Sequence, residues 1–213
     1  MSGPGLIDIS PVVSPRIGVW PGDTPYRQRY LCRIDRGAHL DLSTIETTVH
    51  LGAHADSPSH YRGGGAGIAA RALDRYYGLC QVMRVSVGRG ERVLPRHLCG
   101  PISAPRLLLH TGTFPDPDAW NDDFAALSPE LVAALFDQGV RLVGIDTPSI
   151  DPQASKALES HQAVADRDMA VLEGLVLAHV PPGRYTLIAL PLRLEGADAS
   201  PVRAALAPLS ESP

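Results

Sequence analysis

Lysine is almost missing from this chain of 213 residues: Lys156 is the only one, so nearly all positive charge is arginine. Schiff-base chemistry therefore has a single candidate, and that residue lies in no glycine-rich loop of the kind that cradles phosphates. Cysteine is scarce and odd in number. Cys32, Cys80 and Cys99 have no metal-type spacing, which points to free thiols in a reducing compartment. Long apolar runs are missing too. "YTLIALPL" falls well short of a membrane-spanning helix, and the opening "MSGPGLIDIS" lacks a basic stretch followed by an apolar one. We therefore expect a cytoplasmic protein with no membrane partner. A formal net charge of -4 and a pI near 6.0 give no reason to expect nucleic acid as a partner. No G-x-S-x-G occurs, which argues against a serine nucleophile elbow.

Hydrophobic residues make up 44% of the chain and charged residues 20%, as in ordinary globular proteins. With no repeat and no composition shift, one domain spanning residues 1–213 is expected. "LIDIS", "RIGVW", "HLDLSTIETTVHL", "GLCQVMRVSVG", "PRLLLHTG", "VRLVGID" and "YTLIALPLRL" read as strands. "SPELVAALFDQG" reads as a helix, with Ser128 as N-cap, Pro129 in the first turn and Gly139 as the stop. "SKALESHQAVADRDMAVLEGL" is expected to be helical in its first half, and "SPVRAAL" repeats the Ser-Pro helix start. The mixture predicts an α/β fold with strands in the majority.

The most unusual stretch is "TVHLGAHADSPSHY", with His50, His54, Asp56 and His60 inside eleven residues. Eight histidines spread evenly would place about 0.4 in such a window. On a helix, Asp56 and His60 would sit roughly 240° and 280° round from His50, so the group would be split. Gly52 and Pro58 also argue against a helix. In an extended segment the offsets 0, 4, 6 and 10 are all even, so all four side chains could project to one side. Imidazole and carboxylate without thiolate are the donors of an open, catalytic metal site. His39, His97, His110 and His179 are scattered and read as structural or solvated. "GAGIAA" follows no hydrophobic strand and reads as a loop, not a dinucleotide motif.

"HLGAHADSPSHY" resembles the H-x-G-T-H-x-D-x-P-x-H signature of the metal-dependent cyclase-like hydrolases. Within that family the chain is similar to the bacterial kynurenine formamidases (arylformamidases). The likeness extends through "DISPVVSPRIGVWPGDTPY", "GIDTPSIDPQASKALESHQA" and "VLEGLVLAHVPPGRYTLIALPLRLEGADASPVRA". The resemblance implies a compact α/β domain of the swivelling β/β/α type, a mixed sheet with flanking helices, and a homodimer. It implies two divalent metal ions per subunit, usually zinc, held by His50, His54, Asp56, His161 and Glu173, with Asp56 bridging. It makes His60 the catalytic histidine and Trp20 a substrate-binding aromatic. The reaction implied is hydrolysis of N-formyl-L-kynurenine to L-kynurenine and formate, a step of tryptophan degradation, by a metal-bound hydroxide. Two alternatives are a cyclic-amide (isatin-type) hydrolase of the same family and a non-catalytic metal-binding protein. The signature threonine is Ala53 here, and the family's frequent "LP-x-HH" reads "LESHQ". Apart from the resemblance, Glu173 within "MAVLEGLVLA" draws attention, because a lone acid in an apolar stretch is costly unless paired.

Overall fold

A computed structural model describes residues 5–209; the first four residues of "MSGPGLIDIS" and the last four of the chain lie outside the described residues. The strands run β1 (Ile7–Asp8), β2 (Arg27–Cys32), β3 (Leu42–Glu46), β4 (His54–Asp56), β5 (Tyr77–Arg84), β6 (Arg92–Val93) and β7 (Arg106–His110). They continue with β8 (Ala126–Leu127), β9 (Leu142–Ile145), β10 (Ala170–Glu173), β11 (Gly183–Ile188), β12 (Ala199–Pro201) and β13 (Ala205–Pro208). The α-helices are few and short: α1 (Pro58–Tyr61), α2 (Pro129–Asp137) and α3 (Glu159–Asp166).

Nine strands form one mixed sheet in the order β1-β13-β11-β5-β7-β9-β10-β4-β12. The neighbours β5, β7, β9 and β10 are parallel, while the flanking pairings are antiparallel. The expected α/β fold with a mixed sheet is therefore present. Both faces are covered, which explains the near-continuous apolar runs "RLLLH" and "LVGI" in the central strands. One core holds Leu107, Leu109, Val143, Ile145 and Val171 against Leu131, Leu135 and Val164 of α2 and α3. The other holds Leu108, Leu142, Ala170 and Leu172 with Ala53 and Ala55. The period-two alternation of the strands sorts each residue to its side. Helices α2 and α3 pack on one face only; coil and short turns cover the other.

The helix at Ser128 forms as expected, with its hydroxyl accepting a bond from the Leu131 amide and Gly139 at φ +91° beyond its end. "SPVRAAL" does not. Its backbone is taken up by β12 and β13, and the Ser200 hydroxyl bonds Leu192 and Pro201 instead of capping a turn. "RIGVW" is not a strand either, because the Gly18 amide is held by the Pro117 carbonyl of a facing loop. "HLDLSTIETTVHL" contributes β3, but β3 pairs only with β2, in a separate exposed two-stranded hairpin that the sequence reading missed. "GAGIAA" is coil and a short turn, as read. No helix among the described residues is long and apolar enough to cross a membrane.

Candidate metal centre and its pocket

The carboxyl ends of β7, β9 and β10 all open at one end of the sheet, where His110, Asp146 and Glu173 stand at the points where the apolar runs give out. Ligands of parallel sheets gather at such ends. All three residues line one cavity of about 370 Å³, within the ~300–1,000 Å³ of small-molecule clefts.

Strand β4 enters beside β10 in antiparallel register, with His54 opposite Glu173 and Asp56 opposite Val171. Alternation puts His54, Asp56, Val171 and Glu173 on the face covered by α3, which contributes His161. Ala53 and Ala55 point to the opposite core, so alanine in place of the signature threonine removes no contact to these groups. His50 lies just before the strand, across Gly52 at φ +55°. His60 arrives differently from the expectation. It sits on α1, where Pro58 occupies the first turn, so the four groups do not share one extended segment. Proline is compatible with that position because no intrahelical partner awaits its missing N–H.

The structure thus brings all six polar candidates together. Asp56 lies 3.0 Å from His50 Nδ1 through Oδ1 and 3.3 Å from His161 Nε2 through Oδ2. Glu173 lies 3.3 Å from His54 Nε2 and 3.3 Å from His161 Nε2. Three trios have ligand atoms within 4.8 Å of one another: His50–His54–Asp56 and Asp56–His161–Glu173 share Asp56, and His50–His60–Asp198 joins the first through His50. Asp56 and Glu173 are each only 2% exposed. Yet His54 Nε2, both Asp56 carboxylate oxygens and His161 Nε2 are buried without a hydrogen bond. These atoms are close but poorly directed at one another, the arrangement expected of donors aimed at a common cation. The far side of each ring is fixed: His54 Nδ1 donates to the Gly52 carbonyl (2.8 Å) and His161 Nδ1 to Asp151 (2.9 Å). Those bonds select the tautomer whose Nε2 lone pair faces the centre. The donor set fits one or two divalent metals of the zinc type, with room left for water or substrate.

The electrostatics agree. Burial opposes charge on Asp56 and Glu173, but His161, His50 and His54 outweigh it and hold both carboxyls below their ordinary range. Burial likewise opposes charge on His50, yet Asp56 and Asp198 on its two nitrogens bring its pKa up to about 9. Asp151, despite burial, is held low by His161 and by the amides of His161 and Ser160.

Three participants were missed from the sequence. Asp198 accepts from His60 Nδ1 (3.0 Å) and His50 Nε2 (2.9 Å), while Asp151 orients His161. His110, read as scattered, is buried in the pocket between Arg84 and Asp146. A polar residue directly after an apolar strand run was the available signal for His110; Asp151 and Asp198 carried none. Trp20 lines the same cavity, edge-on to Trp120 with ring centroids 5.5 Å apart.

The chain matches the family model described as Cyclase, "Putative cyclase", over residues 7–152. It is 47% identical over 207 residues to the kynurenine formamidase of Bordetella pertussis, covering 96% of this chain and 99% of that protein. A solved structure of a potential metal-dependent hydrolase with cyclase activity superposes with a TM-score of 0.80 at 26% identity, covering 95% of this chain and 96% of the other. Isatin hydrolase A of Labrenzia aggregata shares the fold (TM-score 0.77) at 21% identity, covering 96% of this chain and 94% of the other.

Proposed function

Since this chain is a hydrolytic enzyme belonging to the Cyclase family, we propose that it hydrolyses N-formyl-L-kynurenine to L-kynurenine and formate. The observation that carries the reading is the pair of donor trios sharing Asp56, set at the floor of an aromatic-walled cavity. The relative of that name at 47% identity supports the choice of substrate, while the isatin hydrolases are more distant at 21%. On this reading His50, His54, Asp56, His161 and Glu173 would hold two zinc ions, Asp56 being the donor common to both trios. When bound, such cations make water acidic enough to attack at neutral pH and polarise the formyl oxygen. The protein's own groups do the rest. His60 lies beside the two trios that share Asp56, and its Nδ1–H donates to Asp198, which leaves Nε2 free to take a proton from water and pass it to the leaving arylamine. Asp198 fixes that tautomer and favours the transient imidazolium. Trp20, braced by Trp120 and Phe124, offers a face to the aryl ring.

The chain acts as one domain, in the cytoplasm, as a homodimer. Three free cysteines suit a reducing compartment. The β2–β3 hairpin exposes Leu31, Leu42 and Ile45, the kind of surface a second subunit covers. The test is formate release from N-formyl-L-kynurenine before and after chelation, with zinc measured on the same preparation. Activity that tracks bound metal is expected; full turnover in metal-free protein would overturn the reading. Isatin run in parallel separates the sibling activity.

A further inference from the structure

The cavity that meets the donor trios has one wall unlike the others. Among the described residues, Lys156 is the only lysine or arginine lining it, and it is also the chain's single lysine. It stands on the loop between β9 and α3, and no carboxylate lies within ion-pair distance of its ammonium among the described residues. The same cavity is lined by Asp23, on the turn that follows Trp20. The other carboxylates of the lining are committed. Glu173 faces His54 and His161, and Asp146 accepts bonds from the Thr111 amide, the Thr111 hydroxyl and the Gly112 amide. Asp23 uses one oxygen for the Thr24 amide and keeps the other free. In the lining of the same cavity Trp120 Nε1–H donates to Gln153 Oε1 (2.9 Å), so the Gln153 amide NH2 remains as a donor on the loop that carries Lys156.

A cation and an anion on one pocket that do not pair with each other are the complement of a zwitterion. We infer that Lys156, assisted by Gln153, holds the α-carboxylate of the amino-acid end of the substrate, and that Asp23 holds its α-ammonium. This rests on the proposed arylformamide hydrolysis and names what that reading leaves open, the group that selects an amino-acid side arm over a plain arylformamide. Metal-site chemistry acts on the formamide alone, so an uncharged arylformamide would be cleaved without engaging Lys156 or Asp23. Contacts remote from the reacting carbon act on ground state and transition state alike, so they alter KM more than kcat.

The experiment compares N-formyl-L-kynurenine with N-formylaniline, which has the same reacting bond and no charge. In the zinc-loaded enzyme, Lys156→Ala and Asp23→Asn should each raise KM for N-formyl-L-kynurenine about tenfold or more, with kcat changed less than about threefold. The ratio of kcat/KM between the two substrates should fall by the same factor. Lys156→Arg should restore much of it. L-kynurenine binding to the zinc-loaded protein, followed by calorimetry, should weaken in parallel. Both residues are exposed, so the variants keep the fold. An unchanged ratio with unchanged L-kynurenine affinity would overturn the inference and leave arylformamide hydrolysis standing. A wild-type enzyme that cleaves neither substrate would overturn the hydrolytic assignment, and this inference with it.

Discussion

Gly174 ties the two halves of the metal centre together, and replacing it by alanine should be felt at both. The residue follows Glu173 at φ +65°, and a Cβ there would lie 2.7 Å from the Gly52 carbonyl carbon and closer still to its oxygen. Ordinary carbon–carbon contact is about 3.5–4.0 Å, so one of the two backbones must retreat by roughly 1 Å. That carbonyl is the acceptor that fixes His54 Nδ1 at 2.8 Å. Two costs follow. Left-handed backbone costs alanine about 1–2 kcal/mol, and forced displacement in a packed region adds about 1–3 kcal/mol. At about 2–4 °C per kcal/mol for a chain of this size, Gly174→Ala should lower the melting temperature by at least about 4 °C. It should also weaken zinc binding by about 10–100-fold, the usual effect of losing a hydrogen bond behind a ligand histidine. Gly139→Ala is the control. It shares the left-handed backbone, at φ +91°, but its Cβ would meet nothing within 4 Å. It should lose about 1–2 kcal/mol and no zinc affinity. Thermal melts and competition against a zinc chelator measure both quantities. Equal zinc affinity in the two variants would refute the argument that the close approach of Gly174 to Gly52 sets His54.

His60→Asn should retain full metal content while turnover falls about 10²-fold or more; full activity would sink its role in proton transfer. Asp151→Asn leaves the His161 ring without its carboxylate, so zinc affinity should drop about 10–100-fold, which the same chelator competition reads. Burial pushes the Cys80 thiol up to about 12 from its ordinary 9, against the nearby Arg106. From pH 9 to 12 the unfolded chain therefore gives up a proton that the folded state keeps, and stability falls as pH rises. At about 1.4 kcal/mol per pH unit this approaches about 4 kcal/mol by pH 12, and urea midpoints from pH 8 upward should fall less steeply in Cys80→Ala.

Legibility followed sequence distance and type of bonding. The cluster at His50, His54 and Asp56 was visible because seven residues carry three ligand-type side chains, and no core or turn needs that combination. The central strands were visible because strands buried on both faces must be apolar throughout, and Ser128, Pro129 and Gly139 mark a helix by local hydrogen bonding alone. What failed was decided elsewhere in the chain. "SPVRAAL" has a helix start, but the free edges of β4 and β11 offered its backbone ladder partners that local capping does not outweigh. Asp198 meets His60 across 138 residues and His50 across 148, so no local pattern could single it out from other acids. His60 kept its place beside the centre while leaving the extended path, because proximity to the ligands came from a helical turn instead of alternation.

The arrangement of charge explains why this end of the sheet is built for a cation. Asp56 and Glu173 are both buried and each disfavours the other's negative charge. Two such carboxylates do not stay ionised unless positive charge stands between them. In the protein alone that role falls to protons on imidazole: burial should make His161 and His50 harder to protonate, yet the carboxylates around them hold both well above their ordinary pKa. These same nitrogens are ligands only when deprotonated. A divalent ion entering the centre therefore exchanges places with protons, supplying the positive charge the carboxylates require and releasing the imidazoles to bind it. The cost of burying Asp56 and Glu173 is thus met in either state. The sheet ends, the α3 helix and the Gly52–Gly174 contact hold one set of side chains whose balancing positive charge comes from protons in the protein alone and would come from a divalent ion when one is bound.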